Sequence, residues 1–376
     1  MTTHALWSHS LAERLEMLKS GTTRVAFIAP KPEYGTFRYR CFNPVDAINR
    51  YSTALSASYF FYSDLLTIDN LADYADVLVV SRCPHDAPLD RLYRRFRNQG
   101  KRVFFDIDDL VFDTRYATLV ASNLGYLLEQ EELNQWTAFI SNIGSALQAS
   151  DGVLTTNAYL AERISETTSL PVFVVPNTFN DAQRKASDDA LASGELQEQG
   201  LHLGYFSGSQ SHSLDFAIVA RQVAAFLEES PHSRLTIVGH LEVPAEFARF
   251  GNRIATRPFM DFLSMQTVLR GIDLNIVPLQ DSPFTWSKSE LKYFEAALVE
   301  TPTLASRTPV FQAAIDPGVT GYLADSSEWI EALRHIESQG SNELQKIGKQ
   351  ARAAVLGTYS PEALAGMLDG ILGKQK

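Results

Sequence analysis

From Arg24 onward, short runs of β-branched and aromatic residues alternate with longer stretches whose apolar positions recur at helical spacing. Strands buried on both faces read as continuous apolar runs, so this alternation predicts parallel sheets covered by helices on both sides. In the first half the strand candidates are RVAFIA (24–29), VLVVS (77–81), RVFFD (102–106), GVLTT (152–156) and VFVVP (172–176). A second set comprises LHLGYFSG (201–208), LTIVG (235–239), RIAT (253–256), DLNIVPL (273–279) and PTLAS (302–306). Between the sets, DAQRKASDDALASGELQEQG (181–200) holds few large apolar residues and reads as a linker. The expected architecture is α/β: two doubly wound domains, 22–180 and 201–356, whose sheets present their carboxyl edges to a shared cleft. A polar-faced helix within 1–21, with Leu11, Leu15 and Leu18 at helical spacing, precedes them. From about Ser341 two further helices are expected, broken near Thr358 to Pro361, and Ser360-Pro361 supplies the cap and first position of the second. That last helix, within 357–376, is placed to pack back on the first domain.

Composition narrows the function. With 376 residues and 45% hydrophobic content, the chain buries a large core, naturally divided in two. Its 33 Lys plus Arg against 44 Asp plus Glu give a net charge of −11, which argues against a nucleic-acid backbone as partner. Cys41 and Cys83 lack the spacing of a zinc site and are too few for a disulfide framework, so a reducing, cytoplasmic setting is the natural reading. No apolar run approaches the roughly 20 residues of a membrane helix, and the first twenty residues lack the apolar stretch of a signal peptide. The run RLYRRFRNQGKR (91–102) is basic enough to touch anionic lipid at the inner face of a membrane, or it is a solvated helix ending at Gly100.

Four stretches carry candidate chemistry. In LGYFSGSQSHSLDF (203–216) a strand runs into Gly208 and Ser209 before an amphipathic helix, so backbone N–H groups can approach a phosphate, as at other helix N-termini. A tight turn that merely permits packing has the same pattern. His212 in that turn is a candidate for proton transfer or for an anionic oxygen, or else a helix-capping or surface histidine. In SKSELKYFEAALVETPTLAS (287–306), Lys288, Lys292 and Glu295 are spaced to share one side of a helix. Two ammonium groups beside a carboxylate suit a nucleotide diphosphate sugar, the lysines meeting phosphate and the carboxylate meeting ribose hydroxyls; a solvated salt-bridged face is the alternative. GTFRYRCFNP (35–44) sets Arg38, Tyr39 and Arg40 after the first strand, where they either contact pyrophosphate or an anionic acceptor or form a surface pair around a buried Tyr39. RVFFDIDDLVFD (102–113) ends a strand with Asp106, Asp108 and Asp109, which are candidates for acceptor hydroxyls or a catalytic base, with an N-cap as the alternative for Asp108 or Asp109.

Glu295-Ala296-Ala297 followed by Thr301-Pro302-Thr303-Leu304-Ala305-Ser306 resembles the E-A-x-A-x-G-x-P-V-V-A-S segment of nucleotide-sugar glycosyltransferases of the GT-B fold, the retaining family four group in particular. SDGVLTTNAYLAERI (150–164) leading to VFVVPNTFN (172–180) is similar to the passage that closes their first domain. LGYFSGSQSHSLDF resembles the opening of the second domain in a bacterial surface-polysaccharide subset, and LTIVGH (235–240), DLNIVPL and GVTGYLA (318–324) resemble its later strands and turn. The resemblance, over roughly 24–355, implies two Rossmann-like domains and a metal-independent transferase of the hexosyltransferase type, without a cofactor. Its donor would be a nucleotide diphosphate sugar, and its acceptor a glycan, lipid-linked glycan or glycoprotein. Glu295 stands at the second glutamate of the family's E-x7-E motif, which implies ribose binding; Gly208, Ser209, Gly239, Lys288 and Lys292 are the other expected donor contacts. Ser287 stands where the first glutamate belongs, and Glu290 is out of spacing. Asp108, Asp109 and His212 are the candidate catalytic groups. Because of Ser287, an inverting mechanism, a GT-B-like nucleotide-sugar epimerase and an inactive carbohydrate-binding relative remain as alternatives.

Overall fold

The computed structural model describes residues 6–19, 21–33, 35–68, 70–123, 129–193, 199–208 and 213–373. The first sheet contains β1 (Thr23–Ala29), β2 (Leu55–Phe61), β3 (Val77–Ser81), β4 (Arg102–Ile107), β5 (Gly152–Thr155) and β6 (Val172–Val174). The second contains β7 (His202–Ser207), β8 (Arg234–Gly239), β9 (Ile254–Arg257), β10 (Leu274–Val277), β11 (Thr303–Ser306) and β12 (Tyr322–Ala324). The strand orders are β2-β1-β3-β4-β5-β6 and β12-β11-β10-β7-β8-β9, and neighbouring strands run parallel, with Val25 opposite Val77 and Leu203 opposite Leu274. Helices cover both faces, so the expected pair of doubly wound α/β domains is present.

In each sheet the chain winds outward on one side and then returns to the other side of its first strand. The reversals lie between β1 and β3 and between β7 and β10. At such a point the loops leaving adjacent strands turn in opposite directions and open a crevice at the carboxyl edge. The loops so exposed begin at Pro30, Arg82, Gly208 and Pro278, and the first and third run into the stretches 35–44 and 203–216 singled out above.

Two strands escaped the sequence pattern. In β2, LSASYFF, Ser56 and Ser58 are buried and break the apolar run, but the Ser56 hydroxyl donates to the Leu18 carbonyl at 2.9 Å, which offsets its desolvation. The three-residue β12 is too short to carry periodicity and is held by pairing Leu304 with Tyr322. The stretch expected as a linker is instead helical over Asp181–Ala192, where the Asn180 side chain caps the first turn by accepting from Gln183 N at 2.9 Å. Its buried face consists of Gln183, Ser187 and Ala190, of which Ser187 and Ala190 are small enough for close approach to the helix Ser264–Arg270, and Ser187 donates to Gln266 at 2.8 Å. Polar composition concealed a helix whose packing partner is itself partly polar.

At the other end, Ser360 caps the helix Pro361–Leu372 by accepting from Ala363 N at 3.2 Å. Leu364, Ala365, Leu368 and Leu372 join Val45, Ala47 and Ile48 of the helix Asn43–Tyr51 in one apolar cluster, so the end of the chain packs on the first domain. The Arg102 guanidinium closes that contact by donating to the carbonyls of Ile371, Leu372 and Gly373. Cys41 and Cys83 are both free and buried. No helix among the described residues is long and apolar enough to cross a membrane. Leu368→Ala is expected to lower unfolding free energy in a urea titration by about 2–5 kcal/mol, and a loss below about 1 kcal/mol would show that the terminal helix is not part of the first domain's core.

Candidate active site

On the first domain, the chain leaves β1, turns at Gly35 and enters a π-helical stretch, Arg38–Phe42, that runs into the helix Asn43–Tyr51. Residues one and two positions apart on a helical turn do not face each other, so Arg38 and Arg40 reach different partners. Arg40 points into the domain. Its guanidinium grips Asp106 at 2.9 and 2.7 Å and also donates to the Val175 carbonyl at 2.7 Å and Asn177 at 3.2 Å. Burial disfavours the Arg40 charge, but Asp106 outweighs it and raises the guanidinium pKa. With 2% exposure and its donors engaged, Arg40 holds β4 and the loop after β6 together rather than facing a ligand, contrary to the expectation of a phosphate or acceptor contact.

Asp108 and Asp109 stand further out, past the end of β4. Asp108 accepts from Thr36 Oγ1 at 2.9 Å and from Arg82 Nη1 at 3.1 Å. Arg82 was not found from sequence. It follows β3 with a left-handed φ of 49°, a conformation that costs a non-glycine residue about 1 kcal/mol and so marks a position held by its surroundings. Asp109 reaches across the cleft to Lys288 at 3.0 and 3.2 Å. Burial pushes the Asp109 carboxyl upward, but Lys288 and Arg82 together hold it below the usual range. Each of the three aspartates is thus engaged by a cationic side chain.

On the second domain, Gly239 has φ 98° at the end of β8, and a Cβ there would lie 1.9 Å from the Ser207 carbonyl oxygen. Only glycine lets β7 and β8 end this close. Gly208 is exposed, with nothing within 4 Å of a Cβ built on it, so its backbone is open from one side. Ser209 and His212 lie outside the described residues. Ser287, where a carboxylate was expected by resemblance, is buried and donates to the Phe284 carbonyl at 2.6 Å, while its own carbonyl accepts from Asn157 at 3.0 Å. Glu290 is buried beside Ser289 and Tyr359, and burial raises its carboxyl pKa.

Lys292 and Glu295 sit on the helix Leu291–Ala297, beyond the end of β10. The Lys292 ammonium lies 5.5 Å from the Tyr205 ring centroid, is buried, and has no hydrogen-bond partner among the described residues. Burial lowers its pKa from 10.5 to about 8, opposed by Asp215 and Glu295. Glu295, 5% exposed, accepts from Arg38 Nη2 at 2.9 Å, Tyr39 OH at 2.6 Å and Gln183 Nε2 at 3.3 Å. Gln183 came from the supposed linker, and nothing in its sequence context marked it. Arg38 and Tyr39 therefore meet a carboxylate of the opposite domain. The structure gathers Arg38, Tyr39, Asp108, Asp109, Lys288, Lys292 and Glu295 along one interdomain seam. Lys288 is committed to Asp109, whereas Lys292 forms no ion pair or hydrogen bond among the described residues, an arrangement that favours an incoming anion. A separate cavity of about 830 Å³ opens at the amino edge of the second sheet between Leu201, Asp273 and Pro302, away from these residues.

Residues 202–339 match the family model described as glycosyl transferases group 1. No curated protein matches the chain. Among solved structures, HepE of Anabaena in complex with UDP and glucose superposes with a TM-score of 0.60 at 13% identity, covering 93% of this chain and 98% of that one. Sucrose-phosphate synthase of Thermosynechococcus elongatus gives 0.61 at 15% identity, covering 92% and 97%. A glycosyltransferase from Rickettsia africae gives 0.62 at 11% identity, covering 93% and 97%. These likenesses show that the fold is GT-B. Arg40→Ala, which strands the Asp106 carboxylate in the interior, is expected to cost about 3–5 kcal/mol in denaturant unfolding; a near-neutral effect would mean that Arg40 is not a structural ion pair.

Proposed function

We propose that the protein transfers a sugar from a nucleoside diphosphate sugar to a hydroxyl of a saccharide or glycoconjugate. The observation that carries this reading is Lys292: a buried ammonium without a hydrogen-bond partner among the described residues, at the carboxyl edge of the second sheet. It lies within the stretch that matches the glycosyl transferases group 1 family. The complex of HepE with UDP and glucose, a protein of the same fold, supports the choice of donor class.

In this reading the diphosphate lies against the Lys292 ammonium and the backbone that begins at Gly208. Glu295 accepts from ribose. As the glycosidic bond to the leaving phosphate breaks, negative charge grows on its oxygen, and a fixed cation in a water-poor site stabilises that charge without reorganising. Asp108 and Asp109, on the facing domain, are the groups offered to the acceptor hydroxyl. The family resemblance favours retention of anomeric configuration and a part in surface glycan synthesis, with the acceptor presented at the inner face of a membrane. With Ser287 in place of the front glutamate, no carboxylate is offered there to the donor sugar.

A panel of UDP, GDP, ADP and dTDP and their sugars in thermal unfolding is the first test. A cognate nucleotide at a hundredfold its Kd stabilises by about 2.7 kcal/mol, and Lys292→Met is expected to abolish that shift while the variant stays folded. The absence of a shift with every nucleotide would remove the donor site. Turnover of donor without acceptor would instead indicate epimerisation, and NMR of the product anomer decides between retention and inversion.

Lys292 also imposes a pH dependence. Its charge is present below about pH 8 and lost above it, so nucleotide affinity is expected to weaken about tenfold between about pH 7 and about pH 9. The free protein is expected to show the opposite trend. Because the unfolded chain holds this proton up to 10.5, stability of the unliganded fold rises as pH increases from about 8 toward 10.5. Calorimetric titration at both pH values checks the first statement; equal affinities would exclude Lys292 as the phosphate contact.

A further inference from the structure

The three donors that reach Glu295 all converge on one of its two oxygens. Arg38 Nη2, Tyr39 OH and Gln183 Nε2 lie at 2.9, 2.6 and 3.3 Å from Oε1. Oε2 receives no hydrogen bond among the described residues, yet it is not among the buried atoms left without a partner, so part of its surface stays accessible. The donors are themselves held in place. The Arg38 guanidinium is sandwiched between the rings of Tyr39 at 4.0 Å and Phe262 at 4.2 Å, one from each domain. The Tyr39 ring meets Phe294 edge-on at 6.2 Å. Gln183 is fixed at the start of its helix, where its own N–H fills the Asn180 cap.

A carboxylate oxygen has room for about two strong donors, so Oε1 is filled and cannot also serve a ligand hydroxyl. We propose that Arg38, Tyr39 and Gln183 are positioning residues: they occupy Oε1 and thereby aim Oε2 of Glu295 at a ribose hydroxyl of the nucleoside diphosphate. This inference rests on the donor reading of the second domain. It adds that recognition of ribose by that domain is assembled by side chains from outside it, and that the sugar of the nucleotide is read only while the two domains are apposed. Arg38 and Tyr39, expected from sequence to touch phosphate or acceptor, act here through Glu295.

The test is the preference for ribose over deoxyribose, a ratio that general destabilisation does not move. Calorimetric Kd values are measured for UDP, GDP and ADP beside their 2′-deoxy and 3′-deoxy analogues, using the full-length wild type and Tyr39→Phe, Gln183→Ala, Arg38→Ala and Glu295→Ala. Tyr39→Phe keeps the ring that packs on Arg38 and Phe294 and removes one hydrogen bond, so it remains informative if Arg38→Ala fails to fold. The wild type is expected to prefer a ribonucleotide by about tenfold over at least one deoxy analogue. Glu295→Ala should erase that preference, and Tyr39→Phe should reduce it to about threefold or less, through weaker ribonucleotide binding at unchanged deoxynucleotide affinity. Full preference in Tyr39→Phe and Gln183→Ala, with its loss in Glu295→Ala, would overturn the positioning role and leave the donor site standing. Full preference in Glu295→Ala would overturn the role of Oε2. Binding of none of the nucleotides by the wild type would defeat the donor reading itself.

Discussion

Glu295 is a nearly buried carboxylate in the seam between two domains, and an ion in that position is tolerated only when its charge is met. Arg38 meets the charge and Tyr39 and Gln183 add hydrogen bonds, so the pairing binds the loop after β1 to the helix beyond β10. Removing one partner from such a pair costs about 3–5 kcal/mol, because the other is left buried and unpaired. The same seam contains Asp109 with Lys288, Asn157 with the Ser287 carbonyl, and the apolar contact of Tyr39 and Phe179 with Val277 and Phe294. Electrostatic satisfaction at Glu295 and burial around it therefore set how the two carboxyl edges face each other.

Within that seam the cations are unequal. Arg40 is saturated by Asp106, and Lys288 is committed to Asp109. Lys292 is buried without an ion pair among the described residues, which lowers its pKa to about 8 and leaves it the most to gain from an anion. Spacing along the helix would have ranked the two lysines alike. Their difference comes from what faces them: an aspartate of the other domain for one, and the Tyr205 ring for the other.

Much of the fold was legible because strands buried on both faces leave continuous apolar runs, and the reversal of strand order then placed the candidate loops at the cleft without knowledge of any contact. What escaped did so for local reasons. In β2 the buried serines hide the strand, since their hydroxyls bond internally. The helix over Asp181–Ala192 packs through a polar face, which composition reads as exposed. At the site, residue types were informative but directions were not: Arg38 and Arg40, two residues apart, look equivalent in sequence, and helical geometry sends one to Glu295 and the other to Asp106. Arg82 and Gln183 carry no sequence signal, because their roles are set by a strained backbone and by a distant helix.

The position of a bound nucleotide decides whether Lys292 and Glu295 form a donor site. A crystal structure of the protein with UDP, or with whichever nucleoside diphosphate stabilises it most, tests this directly. The prediction is a diphosphate oxygen about 3 Å from Lys292 Nζ and a ribose hydroxyl at hydrogen-bond distance from Glu295 Oε2, with Oε1 still held by Arg38 and Tyr39. Nucleotide bound in the cavity at the amino edge of the second sheet, with Lys292 and Glu295 untouched, would contradict it.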